Sequence, residues 1–170
     1  MTFQTPLSDT ICGSLKFVIA PASDHTLGLN FKNLTCHLST NIGFEIELIY
    51  CDSYEEAIDA LRRGDAQLGW LGHYAYHELA SEDLIEPFAV GLLKEKDTPN
   101  YQSLVVTQII TDLKKLSDLR NTHIAIGDKH STSGYIVPKE YLSEARIDLD
   151  NVNEFKSVIR AKSHDKALLY

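Results

Sequence analysis

The chain has 170 residues, of which 44% are hydrophobic and 24% charged, and it carries a formal net charge of -8. That balance fits a soluble globular protein built as one large domain or two small lobes. The acidic excess argues against a nucleic-acid partner, whose affinity rests on Lys and Arg, but leaves room for a small anion held by a local array of N–H donors.

Cys12, Cys36 and Cys51 are odd in number and scattered, without a Cys-x-x-Cys pair, and read as free or buried thiols. The first twelve residues lack the basic start and apolar core of a secretory signal, and no stretch is long enough to cross a membrane. The expectation is therefore either a leader already removed or a protein that stays in the cytoplasm.

In chain order, Leu15–Pro21 reads as a first strand ended by proline. Phe31, Leu34, Leu38 and Ile42 recur at helical spacing, and Gly43 closes that helix. Phe44–Tyr50 alternates as a second strand. Asp52-Ser53 caps a helix with Ala57, Ile58 and Leu61 on its apolar stripe, and Arg62-Arg63-Gly64 ends it. A short glycine-containing strand at Gln67–Gly72 leads into a helix over His73–Ala80, and Ile85–Leu93 supplies another apolar run. The order βαβαβαβ predicts an α/β protein, a sheet with helices on its faces.

Lys94–Asn100 is polar and contains proline, which sets a lobe boundary: residues 1–98 form the first lobe and 99–170 a partial second. Tyr101–Thr107 resumes as a strand, Leu113, Leu116 and Leu119 belong to a short helix, and His123–Ile126 is the next strand. A helix over Tyr135–Ala145 and a strand over Val152–Val158 follow, and Leu168-Leu169-Tyr170 lies in the first turns of another helix.

Between the strand at Ile126 and the helix at Tyr135 stands Gly127-Asp128-Lys129-His130-Ser131-Thr132-Ser133-Gly134. A strand, a tight turn and a helix opening on hydroxyl residues make an anion site. The first N–H groups of a helix have no internal partner, its dipole is positive there, and Gly134 permits close backbone approach. The Walker pattern is absent, so the reading is oxyanion capture without nucleotide hydrolysis, and no cofactor is expected. Ser and Thr are also ordinary helix caps, and that plainer reading stands beside the first.

Several segments together resemble one family: Asp52-Ser53-Tyr54, Leu61–Gly72, Tyr101–Val106, Leu116–Arg120, and Gly127-Asp128 with Ser131-Thr132-Ser133-Gly134 and Pro138. They are similar to the phosphonate, phosphite and phosphate-binding proteins of ABC importers, periplasmic binding proteins of the two-lobed type II kind. The resemblance implies that fold, with the second lobe incomplete at Tyr170. It implies Ser131, Thr132 and Ser133 as the cradle of the oxyanion, with Tyr54 and Tyr101 approaching from the first lobe and the crossover, and His164 of Ser163-His164-Asp165 as a further ligand. It also implies an ABC permease as partner and a periplasmic location, against the missing signal peptide. Tyrosine and histidine donors suit those roles, each charge-assisted hydrogen bond contributing roughly 1.5–3 kcal/mol.

Plainer readings accompany each residue. Tyr54 packs on Ile58, Tyr101 is a core aromatic, and His164 is solvated; Lys129-His130 adds positive potential at the mouth or, more plainly, faces solvent beside the hydroxyl run. His73 and His77 stand four apart on one helix face, but Tyr74 occupies the place of a zinc protease's glutamate, and no metal site is expected. No nucleophile motif is present, so the protein is not expected to be an enzyme. The functions left open are an importer's binding protein, a cytosolic or sensor-linked binding module, a truncated remnant without a transport role, and, with least support, an enzyme on the same scaffold.

Overall fold

A computed structural model describes residues 14–21, 25–92 and 98–170, with side chains in the first helix described from residue 30 onward. The polar lobe boundary falls largely on residues 93–97, outside the described residues, as does Cys12.

β1 (Leu15–Ile19) lies between β2 (Ile46–Tyr50) and β3 (Leu68–Trp70) in an all-parallel sheet of order β2-β1-β3. Leu15 is paired with Ile46, and Phe17 with both Leu48 and Leu68. Successive side chains of a strand face opposite ways, so β1 feeds two cores. Phe17 and Ile19 pack with Phe31 of α1 (His25–Ile42), while Val18 and Ala20 join Ala57, Ile58 and Leu61 of α2 (Tyr54–Arg62) and Ala75 and Leu79 of α3 (His73–Ala80). Phe31 also meets Trp70 edge to face at 5.1 Å.

The helix ends obey local chemistry. The Ser53 hydroxyl accepts the Glu56 amide at 3.1 Å and caps α2. Gly43 and Gly64 sit at φ +76 and +73, a conformation that side chains with a Cβ resist, just past the ends of α1 and α2.

Two expected strands do not form. The described residues of 85–93 and 101–107 carry no strand, and Phe88, Leu104 and Val106 are 72%, 73% and 62% exposed. β-prone residues become a strand only where a neighbour supplies ladder hydrogen bonds, and among the described residues none pairs there. The first sheet is therefore three-stranded over the described residues, short of the βαβαβαβ pattern.

The second region pairs β4 (His123–Ile126) with β5 (Ser157–Arg160) in parallel. A 3₁₀ turn over Leu116–Leu119 precedes β4 where a short helix is expected. Val152–Glu154 is likewise a 3₁₀ turn rather than the start of the last strand, with Asn151 accepting the Asn153 amide at its head. Leu119, Ile126, Tyr135, Leu142, Ile147, Leu149 and Phe155 form the core. On its rim Asp150 takes the Tyr135 hydroxyl, Lys139 at 2.6 Å and Arg160 at 3.4 Å, and these partners hold its carboxyl below the ordinary range.

The junction from β4 into α4 (Val137–Glu144) is the local device on which the site rests. Thr132–Ile136 is a π-helical turn: the Ile136 amide reaches the Ser131 carbonyl at 3.1 Å, and the Val137 amide reaches Thr132. That wide register leaves the Ser133 carbonyl free, and the Ser103 hydroxyl donates to it at 2.7 Å. Pro138 has no N–H to offer the Gly134 carbonyl. The Gly127 amide takes it instead, at 2.7 Å.

The two glycine backbones therefore touch, and a Cβ on Gly127 would stand 2.9 Å from the Gly134 Cα. Gly127→Ala forces backbone apart and should lower the unfolding free energy by about 1–3 kcal/mol in urea titration. Leu142→Ala, at a position 1% exposed, should cost about 2–5 kcal/mol with an unchanged denaturant slope.

Candidate functional site

The turn after Gly127 is held by its own side chain. Asp128 Oδ1 accepts the His130 amide at 2.8 Å, and the Asp128 carbonyl accepts the Ser131 amide at 2.9 Å. Ser131 is the cap of the π-helical turn, its hydroxyl accepting the Gly134 amide at 3.1 Å. The amides of Thr132 and Ser133 follow the cap in the first turn, where a helix offers no internal acceptor. His130, expected at the surface beside Lys129, is buried instead, because its ring fills the space between Asp128 and Glu78 of α3; Lys129 is exposed.

A second helix start faces this one. α3 begins after Gly72, which has no side chain to cap it. The Thr132 hydroxyl does so from across the cleft, accepting the Tyr74 amide at 2.9 Å. A Cβ at Gly72 would come into ordinary contact with Thr132 Oγ1 at 3.6 Å and the Tyr54 hydroxyl at 4.0 Å, so this turn packs directly on both residues. Two positive dipole ends thus converge on one point, an arrangement that favours an anion between them.

All six residues singled out in the sequence line one cleft of about 570 Å³: Tyr54, Tyr101, Ser131, Thr132, Ser133 and His164. Tyr54 is 4% exposed, and burial raises its phenol above the ordinary pKa while the Ser131 hydroxyl opposes that rise. It belongs to the Ala57 and Ile58 core as well as to the cleft wall, so the packing and the lining readings both hold. Tyr101 is half exposed and lies over the His73 ring at 6.0 Å between centroids, rather than in a core. His164 Nε2 is 3.4 Å from Ser133 Oγ, brought there by α5 (His164–Ala167), which Ser163 caps.

His73, the Tyr74 amide and Ser103 join the site without having been singled out as binding residues. The signals were there: Gly72-His73 reads in the sequence as the strand-to-helix turn lining the first lobe's side of the cleft, and Ser103 lies in the Tyr101–Val106 segment that carries the family resemblance. Glu86 is the sole charged residue among the described residues that line the cleft, so its donors are hydroxyls, amides and imidazoles rather than Lys or Arg. Among the described residues no group of three His, Cys, Asp or Glu is placed to hold a metal, and His77 is exposed. Cys36 is an exposed thiol; Cys51 is a buried one, pushed up to about 11 by burial and the nearby Glu56.

Comparison with known proteins places this geometry. A family model described as the periplasmic substrate-binding protein of an ABC phosphonate transporter matches residues 17–170. A probable phosphite-binding protein of an ABC transporter, PhnD1 of Prochlorococcus marinus, is 22% identical over 88% of this chain and 51% of its own length. The phosphonates-binding periplasmic protein of Escherichia coli is 21% identical over 89% of this chain and 45% of its own. The chain spans about half the length of the curated relatives it matches.

Among solved structures, a binding protein component of an ABC phosphonate transporter from Pseudomonas aeruginosa aligns with a TM-score of 0.77 at 24% identity, over 89% of this chain and 51% of that one. PhnD1 in complex with methylphosphonate aligns at 0.66 with 20% identity, over 91% and 58%. These likenesses establish the type II binding-protein fold. With the family model running from Phe17 to Tyr170, the chain belongs to the periplasmic substrate-binding proteins of ABC phosphonate transporters.

Proposed function

We propose that this chain carries the capture site for a tetrahedral phosphorus oxyanion (a phosphonate, phosphite or phosphate) and serves an ABC permease in the periplasm. The observation that carries the reading is the meeting of two helix starts across one cleft, with Thr132 joining them. An oxyanion at that point receives the Thr132 and Ser133 amides and hydroxyls from one side. From the other side it receives the α3 end, and Tyr54, Tyr101 and His164 close around it.

In this reading Ser131 acts chiefly through the backbone, since its hydroxyl already accepts the Gly134 amide. The two lobes divide near residue 98, and the cleft lies between them. Binding rather than catalysis is further supported by the relatives, which are named as transport binding proteins. The methylphosphonate held by one structural relative makes that compound the natural first probe.

Isothermal calorimetry with methylphosphonate, phosphite and phosphate tests the proposal. Heat and a thermal shift with at least one of them are expected; a folded sample silent to all three removes it. Ser133→Ala deletes one donor to the anion and should weaken binding by about 1–3 kcal/mol, roughly 5- to 150-fold in Kd, without altering the ligand-free melting temperature appreciably.

A further inference from the structure

One buried ionisable side chain stands behind the cradle with no place in the capture of the anion. His130 is 9% exposed, directly before Ser131. Its Nδ1 is 3.0 Å from Asp128 Oδ1, and its Nε2 is 3.6 Å from Glu78 Oε2. Those carboxylates belong to different parts of the molecule: Asp128 lies in the cradle's own turn, and Glu78 is on α3, whose first turn meets Thr132.

A neutral imidazole has one N–H, which can serve Asp128 at 3.0 Å, whereas an imidazolium also sets a positive charge 3.6 Å from Glu78 Oε2, an ion-pair separation rather than a hydrogen bond. The charged form is thus the one that ties the two sides together, and the paired carboxylates supply the counter-charge that a buried cation requires. Arg62 of α2 bridges Glu78 at 3.2 Å and also holds Asp59 at 3.0 Å and Glu82 at 2.9 Å, so Glu78 is anchored from behind. The Tyr54 phenol of α2 faces Asp128, and Lys129 is exposed.

We propose that His130 is a positioning residue, a protonation-dependent clasp that fastens α3 to the cradle turn and so couples proton uptake to closure of the cleft on its ligand. The inference rests on the oxyanion reading for its ligand, but the clasp itself is a property of the protein alone. The sign is fixed by the geometry: a proton added to a ring that stands between two carboxylates adds attraction to both, so proton uptake tightens the clasp.

The test compares wild type with His130→Gln and Glu78→Gln at pH 6, 7 and 8, reading methylphosphonate Kd by calorimetry and the ligand-free melting temperature. Methylphosphonate's own ionisation is common to all three proteins and cancels in the ratio of their Kd values. Wild type should gain on each variant by roughly 5- to 10-fold between pH 8 and pH 6, and its ligand-free melting temperature should rise against theirs over the same interval. Glu78→Gln leaves the imidazole in place, so it carries the test should His130→Gln fail to fold. Ratios independent of pH, with parallel melting profiles, overturn the clasp. Should methylphosphonate fail to bind wild type at all, the oxyanion reading falls, and the ligand-free melting profiles alone decide for or against the clasp.

Discussion

The bond from the Gly127 amide to the Gly134 carbonyl is the constraint from which the site is built. It exists because Pro138 withdraws the amide that an α-helix would have placed there, and because neither glycine carries a Cβ to hold the backbones apart. Once that bond is made, the end of β4 and the first turn of the helix are one rigid unit. The π-helical register then follows, and with it the free Ser133 carbonyl that Ser103 takes. The amides of Thr132 and Ser133 are oriented by covalent geometry and a few short bonds. Preorganisation of this kind spares a ligand the cost of ordering its own site.

A protein with a net charge of -8 binds an anion poorly unless the potential at the site is set locally. Here the described lining contains no Lys or Arg, and two helix starts take their place. Each contributes about half an elementary charge, confined to its first turn. The field is therefore short-ranged and directional. On the proposed reading such a field suits a compact tetrahedral anion and leaves the acidic exterior unchanged. The same physics explains why Thr132 sits where it does: its hydroxyl accepts the Tyr74 amide and still has a proton to donate.

Much of this was legible in the residues. Ser53, Gly43 and Gly64 mark helix ends by capping and positive-φ chemistry that depends on a few neighbours, and they stand where the spacing placed them. The Ser-Thr-Ser-Gly run after a strand predicts a capped helix start for the same reason, and the Ser131 hydroxyl makes that cap. What the residues alone did not convey depends on distant partners. Leu104, Val105 and Val106 have strand propensity, yet a ladder is a property of two segments, and none pairs with them among the described residues. The π-helical turn goes with Gly127 and Ser103 donating to two carbonyls near the helix start, one of which Pro138, lacking an N–H, cannot serve, a three-body matter that periodicity does not encode. His130 reads as a polar turn residue until α3, far away in sequence, brings Glu78 to its ring.

The balance between the two regions follows from comparing their contacts. Each has its own apolar core, the first around Ile58 and Leu79 and the second around Leu142 and Ile147, and burial of such side chains stabilises each by several kcal/mol. Across the cleft the described ties include polar bonds, Tyr74 with Thr132, Glu78 with His130, Ser131 with Tyr54 and Ser103 from the crossover with Ser133, and one ring contact, His73 with Tyr101. Net contributions of about 1 kcal/mol for each neutral bond leave that junction far softer than either core. On the proposed two-lobe reading, a junction softer than either core is where opening and closing would take place. A ligand that bonds to both helix starts adds interactions available only when they are close, and that differential affinity, rather than tight binding as such, is what shifts the population toward the closed form.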